Sequence, residues 1–202
     1  MKESPIIFST PMVQAILEER KTQTRRIIKP QPNDVQIIAG RRIWDPEVIE
    51  CPFGEAGDLL WVRETWLKYN LGGTNYFYYK ATSSLNQVVG ASPNELDWKP
   101  SIHLKKEHAR LWLQIENIRV ERLQDISEED AKAEGAPGYT ERNYPLAIHD
   151  KYPTAKQDFI RLWQDINGQD SFSENPFVWV IEFKELSRTG KPTVNSKLQT
   201  AN

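Results

Sequence analysis

From Arg110 to Leu123 apolar and polar positions alternate. Leu111, Leu113 and Ile115 fall on one face and Trp112, Gln114 and Glu116 on the other. A period of two over this length predicts a long half-buried strand, with a bulge near Asn117. Shorter apolar runs predict further strands at Pro5–Phe8, at Leu59–Val62 after the turn pair Gly57-Asp58, and at Phe177–Leu186. Asn75–Ala81, rich in Tyr and Phe, predicts another after a reversal at Gly72-Gly73.

Helical spacing appears three times. Ser9-Thr10-Pro11 opens a helix carrying Met12, Val13, Ile16 and Leu17 on one side. Ser127-Glu128-Glu129-Asp130 opens a short one that stops at Gly135. Thr154–Gln157 opens a third, with Phe159, Ile160, Trp163 and Ile166 in phase and Asn167-Gly168 ending it. The proline-punctuated stretch 29–52 reads as a long loop with at most a short extended piece at 35–38, and 83–106 is polar and turn-rich. Few helices on mainly antiparallel strands predict an α+β fold or a small open barrel with helical decorations.

The length of 202 residues, 39% hydrophobic with seven Trp, suffices for one core. A formal charge of −2 excludes a generally basic nucleic-acid binder. Any such contact is local, and from Glu18 to Arg42 seven basic residues stand against three acidic ones. The single cysteine, Cys51, precludes an internal disulfide and fits a reducing compartment, and no apolar run is long enough to span a membrane. Together with the lack of a secretory pattern, this predicts a cytoplasmic protein with no membrane association.

The densest chemistry is Lys21-Thr22-Gln23-Thr24-Arg25-Arg26. An amine three residues from a hydroxyl can take its proton, and a following guanidinium can hold an oxyanion or a phosphate. The plainer reading is basic residues complementing the dipole at the end of the first helix. A second candidate is Trp98-Lys99-Pro100-Ser101-Ile102-His103, in which Trp98 can stack on a base while Lys99, Ser101 and His103 donate around it. His103 and His108 do not have the spacing of a metal pair, and no phosphate-loop or dinucleotide motif occurs, so neither metal nor cofactor is expected.

Four ordered segments, Ile16–Arg26, Gly57–Val62, Leu123–Glu134 and Trp179–Lys184, resemble the activating signal cointegrator homology (ASCH) domain. That resemblance implies a PUA-like small open β-barrel with peripheral helices over 1–186, a long insertion at about 67–109 and a polar tail at 187–202. Within that superfamily the motifs are similar to those of bacterial N4-acetylcytidine amidohydrolases, which implies Lys21, Thr24 and Glu134 as catalytic residues and Arg26 as the substrate's oxygen ligand. Glu19 stands where that family carries glycine. The segments Trp61–Trp66 and Trp98–His103 also look like those of ASCH-type proteins of tailed phages and prophages. The implied partners are a modified nucleoside or RNA. Two alternatives stay open: a non-catalytic RNA-binding module in which Arg20, Lys21, Arg25 and Arg26 contact phosphates, and a phage-encoded factor that binds a host protein through the insertion. In the enzymatic reading, Trp98, Lys99 and His103 are expected to form one wall of the pocket.

Overall fold

The computed structural model describes residues 1–32, 36–38, 41–44, 47–48, 50–82, 96–138 and 153–192. Among the described residues ten strands run in chain order: β1 (Glu3–Ile7), β2 (Gln23–Ile27), β3 (Gln36–Ile38), β4 (Arg41–Trp44), β5 (Glu47–Val48), β6 (Leu59–Arg63), β7 (Trp66–Leu71), β8 (Thr74–Tyr79), β9 (Trp112–Arg122) and β10 (Phe177–Ser187). The α-helices among the described residues are α1 (Thr10–Leu17), α2 (Glu128–Ala133) and α3 (Ala155–Asn167). The chain is thus mixed α/β, built mostly of sheet.

The central sheet has the order β1-β6-β9-β10-β2. All its pairs are antiparallel except β1 with β6, which the long intervening chain allows to run parallel. The sheet does not close into a barrel among the described residues, because β1 and β2 lie at opposite ends of that order. The seam between them is stitched by a side chain: Arg26 of β2 donates through Nη2 to the carbonyl of Ile7 on β1, at 2.7 Å. Its guanidinium lies 5.3 Å from the centre of the Phe8 ring.

Of two cores among the described residues, the main one gathers Ile6, Phe8, Val13, Leu60, Leu113 and Phe183 with their neighbours between the sheet and α1. The second lies on the other side of β10, where Val178 and Val180 pack against Phe159 and Trp163 of α3. A bulge keeps both cores in phase. Asn117 opposes Glu182 and Ile115 opposes Phe183, leaving Glu116 as the extra residue. The insertion shifts the alternation by one, so Ile115 and Ile118 both meet the main core and Arg119 and Glu121 turn to the second face.

Several elements differ from expectation. The stretch 29–52, expected as a loop, contains the small antiparallel set β3-β4-β5. The strand expected over 75–81 is present as β8, but it pairs with β7, which was not expected, in a hairpin where Phe77 stacks at 3.9 Å on His108 and the Tyr79 hydroxyl donates to the His108 carbonyl, while Tyr76 faces outward. Residues 83–95 of the expected insertion lie outside the described residues. Of the tail, 193–202 lie outside them as well, whereas Lys191 pairs with Glu3 at 2.8 Å.

Candidate active site

Two helix ends meet to form the site. In α1, the amide of Glu19 bonds to the Ile16 carbonyl and that of Arg20 to the Ala15 carbonyl, a Schellman cap with Glu19 in the left-handed position at φ 60°. The end of α2 repeats the pattern with Gly135 at φ 87°, its amide bonding to Lys132 and that of Ala136 to Ala131. The two caps are in contact. A Cβ on Gly135 would come within 2.9 Å of Ala15 and 3.1 Å of the Lys21 side chain, so glycine's missing side chain is what lets them approach.

This contact places Lys21 beside Glu134 in an isolated antiparallel bridge, reinforced by the Thr22 amide bonding to the Ala133 carbonyl at 2.8 Å. The Lys21 ammonium donates to the Gln23 carbonyl (2.9 Å), the Glu134 carbonyl (2.8 Å) and the Glu134 carboxylate Oε2 (2.7 Å). Lys21 is 2% exposed and Glu134 6%, so the pair is shut away from water. Burial lowers the Lys21 pKa below the ordinary lysine value. The Glu134 carboxylate opposes that shift, and the charges of Arg26 and Arg25 add to it. The carbonyl at the end of α2 also supplies the negative end of a helix to the ammonium.

The other carboxylate oxygen of Glu134 accepts from Nη1 of Arg25 at 3.2 Å. Arg25 is itself held by Glu121 and, at 3.1 Å, by Asp130. Asp130 receives Gln23 Nε2 at 2.9 Å and Arg119 at 2.9 Å. It also closes the capping box of α2 with Ser127. Arg25, Val180 and Arg119 stand in one row across β2, β10 and β9, so the β9 bulge is what brings Arg119 and Glu121 to Arg25's face.

Thr24 and Arg26 take the opposite face of β2. Thr24 is opposite Ile181 and Arg26 opposite Trp179, both in the main core. Thr24 is 2% exposed, and among the described residues no side chain hydrogen-bonds its hydroxyl. Arg26 has no carboxylate at ion-pair distance among the described residues. Burial lowers its pKa, against the pull of Glu134.

Beside this cluster lies a cleft of about 460 Å³, the size of a small-ligand site. Thr24, Arg26 and Glu134 give it polar atoms, and Phe159, Trp163 and Trp179 give it aromatic walls. Ile166 of α3, 55% exposed, adds an apolar residue to its lining.

The structure therefore brings Thr24, Arg25, Arg26 and Glu134 to one cleft, with Lys21 bonded to Glu134 but outside the cleft lining. It does not bring Trp98, Lys99, Ser101 or His103 to them. The backbone of Lys99 exchanges hydrogen bonds with that of Trp66 at 2.7 and 3.2 Å, which places that segment beside the β7–β8 hairpin. None of the four lines the cleft, and the wall expected from them comes from α3 and β10 instead. Arg25, expected at the substrate, has its charge taken up by three acidic residues. In the sequence Trp163 belongs to a helix face and Trp179 to a strand and to the ASCH-like segment Trp179–Lys184, and neither pattern marks a cleft wall. An aromatic aligned with Phe159 on α3 was the available signal, and it looked like core. No helix among the described residues is long and apolar enough to cross a membrane.

No protein-family model matches this chain, and no curated protein does. Among solved structures, the chain is similar to protein EF3133 from Enterococcus faecalis V583, family model DUF984, at 12% identity and TM-score 0.41, over 96% of this chain and 86% of that one. It is also similar to an ASCH domain from Lactobacillus crispatus JV V101, at 15% identity and TM-score 0.36, over 91% and 79%. These are loose likenesses of fold at low identity.

Proposed function

We propose that the cleft hydrolyses an acyl amide on a pyrimidine nucleoside, an N4-acylated cytidine or a close relative, with Thr24 as nucleophile. The observation that carries this is the buried Lys21–Glu134 pair beside a cleft that also presents a hydroxyl and a guanidinium to which, among the described residues, no side chain hydrogen-bonds and no carboxylate pairs, respectively. An ammonium with all three protons donated cannot accept another. Passing one proton to Glu134 converts the ion pair to a neutral amine and a carboxylic acid.

The neutral pair then has the two functions that amide cleavage needs. The Thr24 oxygen attacks the acyl carbon and its proton goes to Lys21. Charge developing on the acyl oxygen is met by Arg26. The C–N bond breaks as the exocyclic nitrogen takes the Glu134 proton, leaving acyl-Thr24 and a restored ion pair. Water then repeats the sequence on the acyl group, regenerating Thr24 and releasing a carboxylic acid. Arg25 is not a ligand in this scheme, and its role is to hold Glu134.

The phosphate-binding alternative has less behind it. Arg20 is paired with Glu18 at 2.6 Å, and Lys21 and Arg25 are buried in ion pairs, so three of its four cations are engaged within the protein. Incubation with N4-acetylcytidine, following release of cytidine, tests the proposal. Turnover by the wild type that disappears in Thr24→Val supports it. No turnover, or full turnover in Thr24→Val, overturns it.

A further inference from the structure

Arg25 reaches the cleft through its main chain. Its side chain is 0% exposed, shut into the acidic network that holds Glu134, whereas the whole residue is 4% exposed and lines the cleft. What it shows there is therefore backbone. The lining takes in every residue from Thr24 to Lys29, so β2 runs along the cleft rather than ending at it.

The ladder fixes which backbone groups point that way. In an antiparallel pair the N–H and C=O of one residue turn to the partner strand and those of the next turn away. The Ile28 amide bonds to the Phe177 carbonyl at 3.1 Å, and the Phe183 amide to the Thr22 carbonyl at 2.8 Å. Thr24 and Arg26, which alternate between those two residues and stand opposite Ile181 and Trp179, face β10 as they do. Gln23, Arg25 and Ile27 turn their N–H and C=O to the other edge. The Gln23 carbonyl bears out that direction, because it accepts the Lys21 ammonium at 2.9 Å on the side away from β10. β2 is the last strand of its sheet, and no described strand pairs with that edge. A free strand edge is a hydrogen-bonding template. Arg25 and Ile27, both in the cleft lining, set N–H, C=O, N–H and C=O in line along it.

We infer that this edge reads the base of the nucleoside: the Arg25 carbonyl accepts the N4–H of an N4-acylated cytidine, and the Ile27 N–H donates to ring N3. Chain order supports the assignment. Thr24 and Arg26 flank Arg25, so a nitrogen held at the Arg25 carbonyl carries its acyl group beside the proposed nucleophile and oxygen ligand. The ligand class is a planar heterocycle with a donor next to an acceptor on one edge. Uridine reverses the two, setting carbonyl against carbonyl and N–H against N–H, and is rejected. An extended peptide also fits a free edge, but a cleft of about 460 Å³ suits one nucleoside better than a strand of several residues. This inference rests on the reading of the cleft as a nucleoside site and adds the groups that select the base.

The test measures binding apart from turnover. The full chain carrying Thr24→Val, which has lost the proposed nucleophile, is titrated with N4-acetylcytidine, with its N4-methyl derivative, which lacks the donor, and with its 3-deaza analogue, which lacks the N3 acceptor. The backbone amide of Ile27 is followed by NMR. N4-acetylcytidine is expected to move that resonance downfield, and each analogue to bind roughly 5- to 10-fold more weakly, the worth of one neutral hydrogen bond. Ile27→Pro removes an N–H that belongs to no ladder bond, which an edge strand tolerates. It is expected to bind N4-acetylcytidine more weakly, by the same factor, than Ile27→Ala, which loses the side chain and keeps the N–H. An unmoved Ile27 amide, analogues that bind as tightly as N4-acetylcytidine, an Ile27→Pro chain equal to Ile27→Ala, or no binding of N4-acetylcytidine overturns the inference. So does an extended acetylated tetrapeptide that moves the Ile27 amide where N4-acetylcytidine leaves it in place, an outcome that assigns the edge to strand addition. Should Ile27→Pro not fold, the amide shift and the two analogues decide. Binding as expected without hydrolysis by the wild type removes the catalytic reading and leaves this one standing, and hydrolysis with an unmoved Ile27 amide does the reverse.

Discussion

The side chain of Lys21 bonds twice to Glu134, to its carbonyl at 2.8 Å and its carboxylate at 2.7 Å, across 113 positions of sequence. Removing one partner strands the other's charge in the interior. Lys21→Ala is expected to lower stability by about 3–5 kcal/mol. The double change Lys21→Met with Glu134→Gln removes both charges and is expected to recover a large part of that loss while remaining inactive. Urea denaturation of the three proteins checks this, and a Lys21→Ala chain as stable as the wild type would show that the pair is not buried.

Thr24→Val keeps the shape and the β-branch and removes only a hydroxyl that no described side chain bonds. Its stability is expected to stay within about 1 kcal/mol of the wild type, while acyl-amide turnover falls by at least about 10³-fold. Because the Lys21 pKa is lowered, its neutral form grows in as pH rises through a range below that of ordinary lysine. The active pair holds one proton between Lys21 and Glu134, so the rate is expected to fall along one limb as that proton is lost, below the ordinary lysine value of about 10.4, and a pH–rate profile of the wild type checks this.

The two abutting helix caps give opposite expectations for glycine. Glu19 occupies a left-handed conformation that costs a residue with a side chain about 1–2 kcal/mol, so Glu19→Gly is expected to stabilise by about 0.5–1 kcal/mol after the entropy of glycine is subtracted. Its ion pair with Arg188, at 3.5 Å and largely exposed, offsets little of this. Gly135→Ala meets both the same backbone penalty and the Ala15 and Lys21 side chains, and is expected to cost more than about 2 kcal/mol. Denaturant midpoints of the two variants check both signs.

Asp130 gives a stability difference that depends on pH. Burial raises its pKa, but the hydrogen bond from Gln23 and the charges of Arg25 and Arg119 outweigh burial and hold it below the usual aspartate value. A carboxyl depressed in the folded state stabilises it above the unfolded pKa of about 3.9, and this stability is lost as pH falls through the folded value. The gap in stability between wild type and Asp130→Asn is expected to be constant near neutrality and to shrink below about pH 4. A gap that stays level down to pH 2 would show that Asp130 titrates normally.

Local pattern determined the elements whose burial is apolar and periodic. The alternation in β9, the capping boxes of α2 and α3 and the apolar run of β10 each state their own conformation, because facing and capping depend on residues a few positions apart. Even the irregularity near Asn117 was legible, since the apolar set there changes phase. The association of Lys21 with Glu134 came from motif resemblance rather than from any local period, and the two residues do meet.

What only the tertiary structure decided is which face met which. β2 carries no apolar alternation, because Gln23 and Arg25 are polar, and their burial is satisfied by Asp130, Glu121 and Glu134 from other elements instead of by apolar neighbours. No window of sequence contains those partners. For the same reason Arg25 and Arg26 look equivalent in sequence, yet strand alternation sends one into an acidic network and the other to the open seam against Ile7. The cleft walls follow from packing α3 on β10, a long-range choice that left Trp98 and its neighbours beside β7 and set Trp163 at the cleft.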